Sequence, residues 1–157
     1  MSQVVAPPAP RWAVISTFLL SLAGLGVATY LTIAHYVGTQ VWACSASALV
    51  NCEAVTTSAQ SHFLGMPVSV LGLGNFLVLS ALCSPWAWAS TNTLIHRARV
   101  TLILISIAMV IWLVTAEIAI IGKLCLWCTA VHVITFAMVL LLTRLNREQT
   151  GWTPVSV

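Results

Sequence analysis

Cys125 and Cys128 form a Cys-x-x-Cys pair in the stretch Lys123-Leu-Cys-Leu-Trp-Cys-Thr-Ala-Val-His132, where an apolar run from Leu124 to Leu142 begins. If that run is helical, Cys125, Cys128 and His132 fall at i, i+3 and i+7 and share one face. A thiol at a helix N-terminus feels the positive end of the dipole, which favours the reactive thiolate. The plain alternative is a pair of small buried hydrophobes. A second pair, Cys44 and Cys52, argues for redox work instead. Thiol–disulfide exchange needs an attacking thiolate and an accessible disulfide. A pair in a loop can visit a protein partner, while a pair fixed on a helix at membrane depth can meet a lipid-soluble electron acceptor. Together they make a two-stage relay from aqueous dithiols into a bilayer. Zinc is disfavoured, because structural zinc ligands usually pair as C-x2–4-C and the loop pair breaks that spacing. No metal is expected.

Such a relay needs a scaffold in lipid, and the composition demands one. Of 157 residues, 60% are hydrophobic and only 6% charged, against roughly 25% charged in soluble chains. Six basic and three acidic side chains cannot build a water-facing surface. Spans are predicted at about 12–34, 68–83, 100–121 and 124–142, the second of them short against the ~20 residues a spanning helix needs. The first run exceeds the ~7–15 residues of a signal-peptide core and is read as a retained span. Residues 1–10, with Pro7, Pro8 and Pro10, are expected to be a disordered tail. Nothing reads as a linker, so residues 1–157 are expected to form a single domain. The fold class is all-α integral membrane: a four-transmembrane-helix bundle with a cysteine-bearing outward loop over 35–67.

Within that loop a short interfacial helix is expected over Glu53–His62, with Val55 and Ala59 on one side. Gly65-Met-Pro67 should end it, Gly as the stop and Pro in the first turn of the next helix. Gly72 and Gly74 would let a neighbouring helix or a flat ligand approach closely. Gly122 and Lys123 are a tight link, so the last two spans should be antiparallel neighbours.

Four spans put both termini on one side. Arg11, Arg97, Arg99, Arg144 and Arg147 fall there and only Lys123 falls opposite, so the positive-inside rule places the termini in the cytosol. The loop pair and the start of the last span then face outward, in a compartment that permits disulfides. Cys83 is left at the cytosolic end and reads as a small hydrophobe. Trp42 and Trp127 suit the outer interface; Trp12, Trp86, Trp88 and Trp152 suit the inner one. A scattered net charge of +3 points to no nucleic-acid partner.

The chain resembles the vitamin K epoxide reductase family from about Trp12 to Leu142. The resemblance rests on Cys-x7-Cys in the first outward loop, the Ser58/Ser61 segment leading into Gly65-Met-Pro67, Ser69 with Gly72, and Cys-x-x-Cys opening the last span. The order of the pairs differs from that of the DsbB-like quinone-linked family, whose Cys-x-x-Cys lies in the first loop. The resemblance implies a bundle around a quinone of menaquinone, phylloquinone or ubiquinone type. Cys44 would exchange with a partner thiol, Cys52 would pass electrons to Cys125, and Cys128 would lie beside the quinone. His132 stands where the animal enzymes have a quinone-contacting Tyr. Ser69 and Gly72 belong to the same site, whereas Val68 replaces the animal Asn, so that hydrogen bond does not carry over. Many bacterial members carry a fused thioredoxin-like domain. This chain ends after its fourth span, so a separate thioredoxin-like (DsbA-like) dithiol protein is the expected partner.

The expected function is a thiol:quinone oxidoreductase of a bacterial inner (plasma) membrane, in contact with lipid and supporting disulfide formation. The alternatives are an epoxide reductase in the animal sense and a non-catalytic tetraspan protein whose loop disulfide is only a staple. Lys123 reads equally as a tuner of the thiols or a residue snorkelling to the interface. Glu117 reads equally as a proton relay, a support for the loop or an interhelical hydrogen bond. His35, His62 and His96 read as ordinary interfacial polar residues.

Overall fold

A computed structural model describes residues 9–38, 44, 47–90 and 92–150, the last five by backbone alone. Most of the expected N-terminal tail, Trp42, Trp152 and the side chain of Arg147 lie outside the described residues.

Helix α1 (Arg11–Val37) buries Ala13, Thr17, Ser21, Gly24, Ala28, Leu31 and Ala34. These recur every three or four residues, so one narrow and mostly small face turns inward. The Thr17 and Ser21 hydroxyls donate back to the Ala13 and Phe18 carbonyls at 2.8 and 2.7 Å, which leaves no polar group unsatisfied on that face. At Gly24 the ring of Phe76 lies where a Cβ would stand. That close approach joins α1 to α3 (Val68–Leu82).

Helix α5 (Thr93–Thr115) continues as a π-helical turn, Ala116–Ile121, and α6 covers Leu126–Thr150. Helix α1 packs on α3 and α6, while α5 packs on the same two, so the four helices close a ring. Ala28, Phe76, Leu79, Ile103, Met138 and Leu142 meet inside it with Cys83. Outside, Leu19, Leu77, Leu104, Ile111, Val133, Phe136 and Leu140 are exposed. An apolar coat this extensive is a lipid-facing surface.

Arg11–Val37, Thr93–Ile121 and Leu126–Leu145 are each long and apolar enough to cross a membrane. Helix α3 is equally apolar, but its 15 residues reach only about 22 Å at 1.5 Å per residue. The protein is therefore a mostly helical membrane protein.

Helix α5 begins at Thr93, earlier than the predicted residue 100. Asn92 Oδ1 accepts from the Leu94 N–H at 2.9 Å and caps it. The earlier start draws Arg99 into the bundle, where it is buried. Its Nε and Nη2 donate to the Leu82 carbonyl at 3.0 and 2.6 Å, and its guanidinium lies 3.7 Å from the centre of the Trp88 ring. Arg99 thus closes the C-terminus of α3, a role beyond topology, while Arg11, Arg97 and Arg144 are exposed. Trp88 sits on α4 (Pro85–Ala89), which Ser84 Oγ caps by accepting from the Ala87 N–H.

The segment between α1 and α3 departs from the expected single helix over 53–62. It holds α2 (Cys52–Thr56), a 3-10 turn (Ala59–Ser61), and a hairpin of β1 (His62–Phe63) and β2 (Met66–Pro67). Val55 is buried, but Ala59 is exposed, because the chain leaves the helix at Thr57. Leu64 and Gly65 take φ of 53° and 82°, the paired positive values that a tight two-residue hairpin turn requires. Gly65 therefore turns a hairpin, and Pro67 is the residue preceding α3 rather than part of its first turn.

Candidate active site

The cysteine-bearing loop is fixed by backbone pairing to the start of α6. The Leu124 N–H donates to the Leu49 carbonyl at 2.9 Å, and the Asn51 N–H donates to the Leu124 carbonyl at 3.0 Å. These bonds make Val50 and Leu124 a parallel bridge. Lys123 Nζ adds a 2.7 Å bond to the Ala48 carbonyl, so Lys123 serves the loop. Asn51 then caps α2, its Oδ1 accepting from the Ala54 N–H at 3.0 Å. Cys52 opens α2 and Cys125 follows Leu124, so this pairing brings their chain segments together.

Cys52 and Cys125 are buried in one cluster with Leu31 and Val55, with Cys44, Cys128 and Trp127 packed around it. Cys44 and Cys52 are joined by a disulfide with Cα atoms 6.2 Å apart. Cys125 and Cys128 are both thiols. Four cysteines are thereby brought together in two oxidation states.

Cys125 lies one residue before α6 instead of on its face. It occupies the capping place: its carbonyl accepts from the Thr129 N–H at 2.9 Å, and its sulfur from the Cys128 N–H at 3.2 Å. Sulfur stands where a Ser or Asp oxygen usually caps. A hydrogen bond from the Cys128 thiol holds the Cys125 thiol below its ordinary pKa, against the opposing effect of burial, with the Cys128 N–H assisting. Cys125 is thus the thiol that ionises first.

Cys128 borders a second space as well. A cavity of about 530 Å³ lies among the four long helices, with Val55, Phe63 and Leu64 at its loop end. Cys128, His132, Ser69 and Gly72 all line it, as does Glu117. Its size falls in the range of small-molecule sites, and its wall is mostly apolar. Ser69 Oγ is buried there without a hydrogen-bond partner among the described residues, a deficit that an oxygen-bearing ligand would relieve. A Cβ at Gly72 would meet nothing within 4 Å. Gly72 therefore opens onto the cavity and makes no close helix contact; Gly74 likewise has open space. An apolar ring compound with oxygens at its edge fits this lining.

Two features escaped the sequence reading. Ser106 Oγ lies 3.0 Å from Asn75 Oδ1 and 2.8 Å from the Leu102 carbonyl, tying α5 to α3 at the cavity wall. A lone Ser and a lone Asn on different helices give no local signal of such a pair. The rings of His35 and His62 stack edge-on at 5.5 Å, and His35 reaches the cavity.

The sequence model of the Vitamin K epoxide reductase family matches residues 15–143. The chain belongs to that family. Members of the vitamin K epoxide reductase family are oxidoreductases linked in general to quinones, and the matched span includes both cysteine pairs and the cavity. No curated protein matches the chain.

Proposed function

We propose that the protein is a membrane thiol:quinone oxidoreductase that carries electrons from a separate thioredoxin-like dithiol protein to a quinone of menaquinone, phylloquinone or ubiquinone type. The observation that supports it most is the position of Cys128, which borders the cysteine cluster on one side and the apolar cavity on the other. In this reading residues 1–157 form one domain and α3 is the fourth span, shorter than the rest. The exposed Arg11, Arg97 and Arg144 share the cytosolic end of a bacterial plasma membrane, and the cysteine loop faces outward.

The partner thiolate attacks Cys44 and expels Cys52, forming a mixed disulfide; the partner's second thiol then closes on the first, which releases Cys44 and leaves the partner oxidised. Cys52 then attacks Cys125 in its disulfide with Cys128; closure of Cys44 onto Cys52 leaves Cys125 and Cys128 reduced. A quinone in the cavity supplies the sink for two electrons and two protons. Cys128 faces it, His132 donates a hydrogen bond to one of its carbonyls, Ser69 offers its hydroxyl, and Gly72 leaves room for the ring. His132 lies about one turn deeper than Cys128, and a donor placed where charge develops favours the transition state over the bound quinone.

The test is a single turnover of purified, prereduced protein mixed with quinone. Quinone absorbance should fall as the Cys125–Cys128 disulfide forms, and His132→Ala should slow that step roughly tenfold or more. A reduced protein that leaves every quinone oxidised defeats this reading. Undiminished turnover in His132→Ala removes that histidine alone.

A further inference from the structure

Glu117 is one of three acidic residues in the whole chain, and it is buried. It sits in the π-helical turn Ala116–Ile121, where the Gly122 and Lys123 N–H groups both donate to its carbonyl and Gly122 turns left-handed at φ 65°. Such turns re-aim a side chain out of the regular helical register and are frequent at working sites. Here the carboxyl accepts a hydrogen bond from the Cys125 backbone N–H and also lines the cavity beside Cys128. A carboxylate and a thiolate in one apolar enclosure repel, so a proton shared between them relieves the site.

The reduction of a quinone by this dithiol moves protons as well as electrons. Two S–H bonds break, one S–S bond forms, two electrons leave the sulfurs, and two protons must reach the quinone oxygens. Cys125, the readily ionised thiol, is buried and does not line the cavity, so its proton is given up to solvent when the thiolate forms, before the disulfide closes. Cys128 faces the apolar interior and needs a base there.

Resting on the thiol:quinone reading above, we infer that Glu117 is that base: it takes the proton from Cys128 as the Cys125–Cys128 disulfide closes, then delivers it to a quinone oxygen. The second proton comes from water, so the ledger of two electrons and two protons balances. Positioned acid–base groups of this kind typically contribute about 10²–10⁴-fold.

Glu117→Gln keeps the size of the side chain and an oxygen for the Cys125 N–H, but it cannot carry the proton. In single turnovers it should reduce quinone about 10²-fold more slowly than wild type, with an unchanged melting temperature, and Glu117→Asp should recover part of the rate. A second readout uses no quinone: N-ethylmaleimide alkylation of Cys128 in reduced protein, followed by peptide mapping. A base predicts slower alkylation in Glu117→Gln, whereas a carboxylate that merely repels the thiolate predicts faster alkylation. Quinone reduction at the wild-type rate, equal losses in Gln and Asp, or faster alkylation in Gln would each overturn the assignment. If wild type itself reduces no quinone, the thiol:quinone reading fails, and the maleimide rates still decide whether Glu117 accepts the Cys128 proton.

Discussion

Val50 lies against Leu124 in a parallel bridge, and the two bonds that close it come from the backbone of Leu49, Asn51 and Leu124 alone. Those two bonds need only the backbone N–H and C=O groups, while the side chains of Lys123 and Asn51 add a bond to the Ala48 carbonyl and the cap of α2. The loop disulfide is thereby held next to the thiol that ionises first.

That proximity makes a trapped intermediate the expected result of Cys128→Ala. Cys125 can attack Cys52 and expel Cys44, and with Cys128 gone only the return of Cys44, and no longer its own neighbour, can release Cys125. Non-reducing peptide mapping should find a Cys52–Cys125 disulfide. If Cys44–Cys52 is the sole pairing in every variant, the loop disulfide is a staple and the relay is wrong.

The thiols should also separate by pH. Cys125 is held below the ordinary thiol value chiefly by the Cys128 hydrogen bond, while burial pushes Cys83 up to about 11, only partly offset by Arg99 and Thr17. Lowering the pKa places the thiolate at lower pH, so ultraviolet thiolate absorbance of the reduced protein should begin to rise at lower pH than an ordinary thiol would give. In Cys128→Ala that first rise should move to higher pH. Cys83 should contribute only in strongly alkaline solution.

Arg99→Ala removes two charge-assisted bonds from the Leu82 carbonyl and the cation over Trp88. Hydrogen bonds to charged groups contribute about 1.5–3 kcal/mol, so a loss of about 2 kcal/mol or more is expected in detergent unfolding. Arg99→Lys should restore only part of it, because an ammonium lacks the planar fork. Equal stability of all three proteins would contradict the capping role.

Two glycines should answer differently to a larger residue. Gly24→Val drives a side chain into the Phe76 ring and should cost about 1–3 kcal/mol. Gly72→Val meets open cavity space, so folding should survive while the KM for quinone rises. Melting curves and quinone titrations distinguish the two; similar unfolding of both variants would show that Gly72 packs.

Orientation is checked in intact cells. After mild reduction, an impermeant thiol label added from outside should reach Cys44, and a reporter fused after Thr150 should report cytosol. A reporter found outside inverts the topology.

Much of this architecture was legible from residue order. Long apolar runs set the helices, since a bilayer leaves the backbone few other solutions. The two cysteine spacings singled out the four cysteines that the fold gathers into one cluster. What escaped depends on contacts between distant segments: the Leu49–Asn51 pairing with Leu124, the Arg99 bonds to Leu82, and the Ser106–Asn75 contact. The Leu64–Gly65 turn escaped for a local reason. A leucine at positive φ defies its own preference, and the short flanking strands carry no alternating pattern. Cys125 as a cap was hidden because sulfur is not an ordinary capping group.

The brevity of α3 has a consequence for the lipid around it. If α3 crosses the bilayer as proposed, about 22 Å of helix faces a hydrocarbon layer about 30 Å thick, while Arg99 and the hairpin hold its two ends. The helix cannot lengthen, so the adjacent leaflets must thin. Ser69 and Gly72 lie on this same helix, which places the shallowest stretch of membrane beside the cavity wall. Acyl-chain length should then tune the protein from outside, through a wall of the bundle too short to match it.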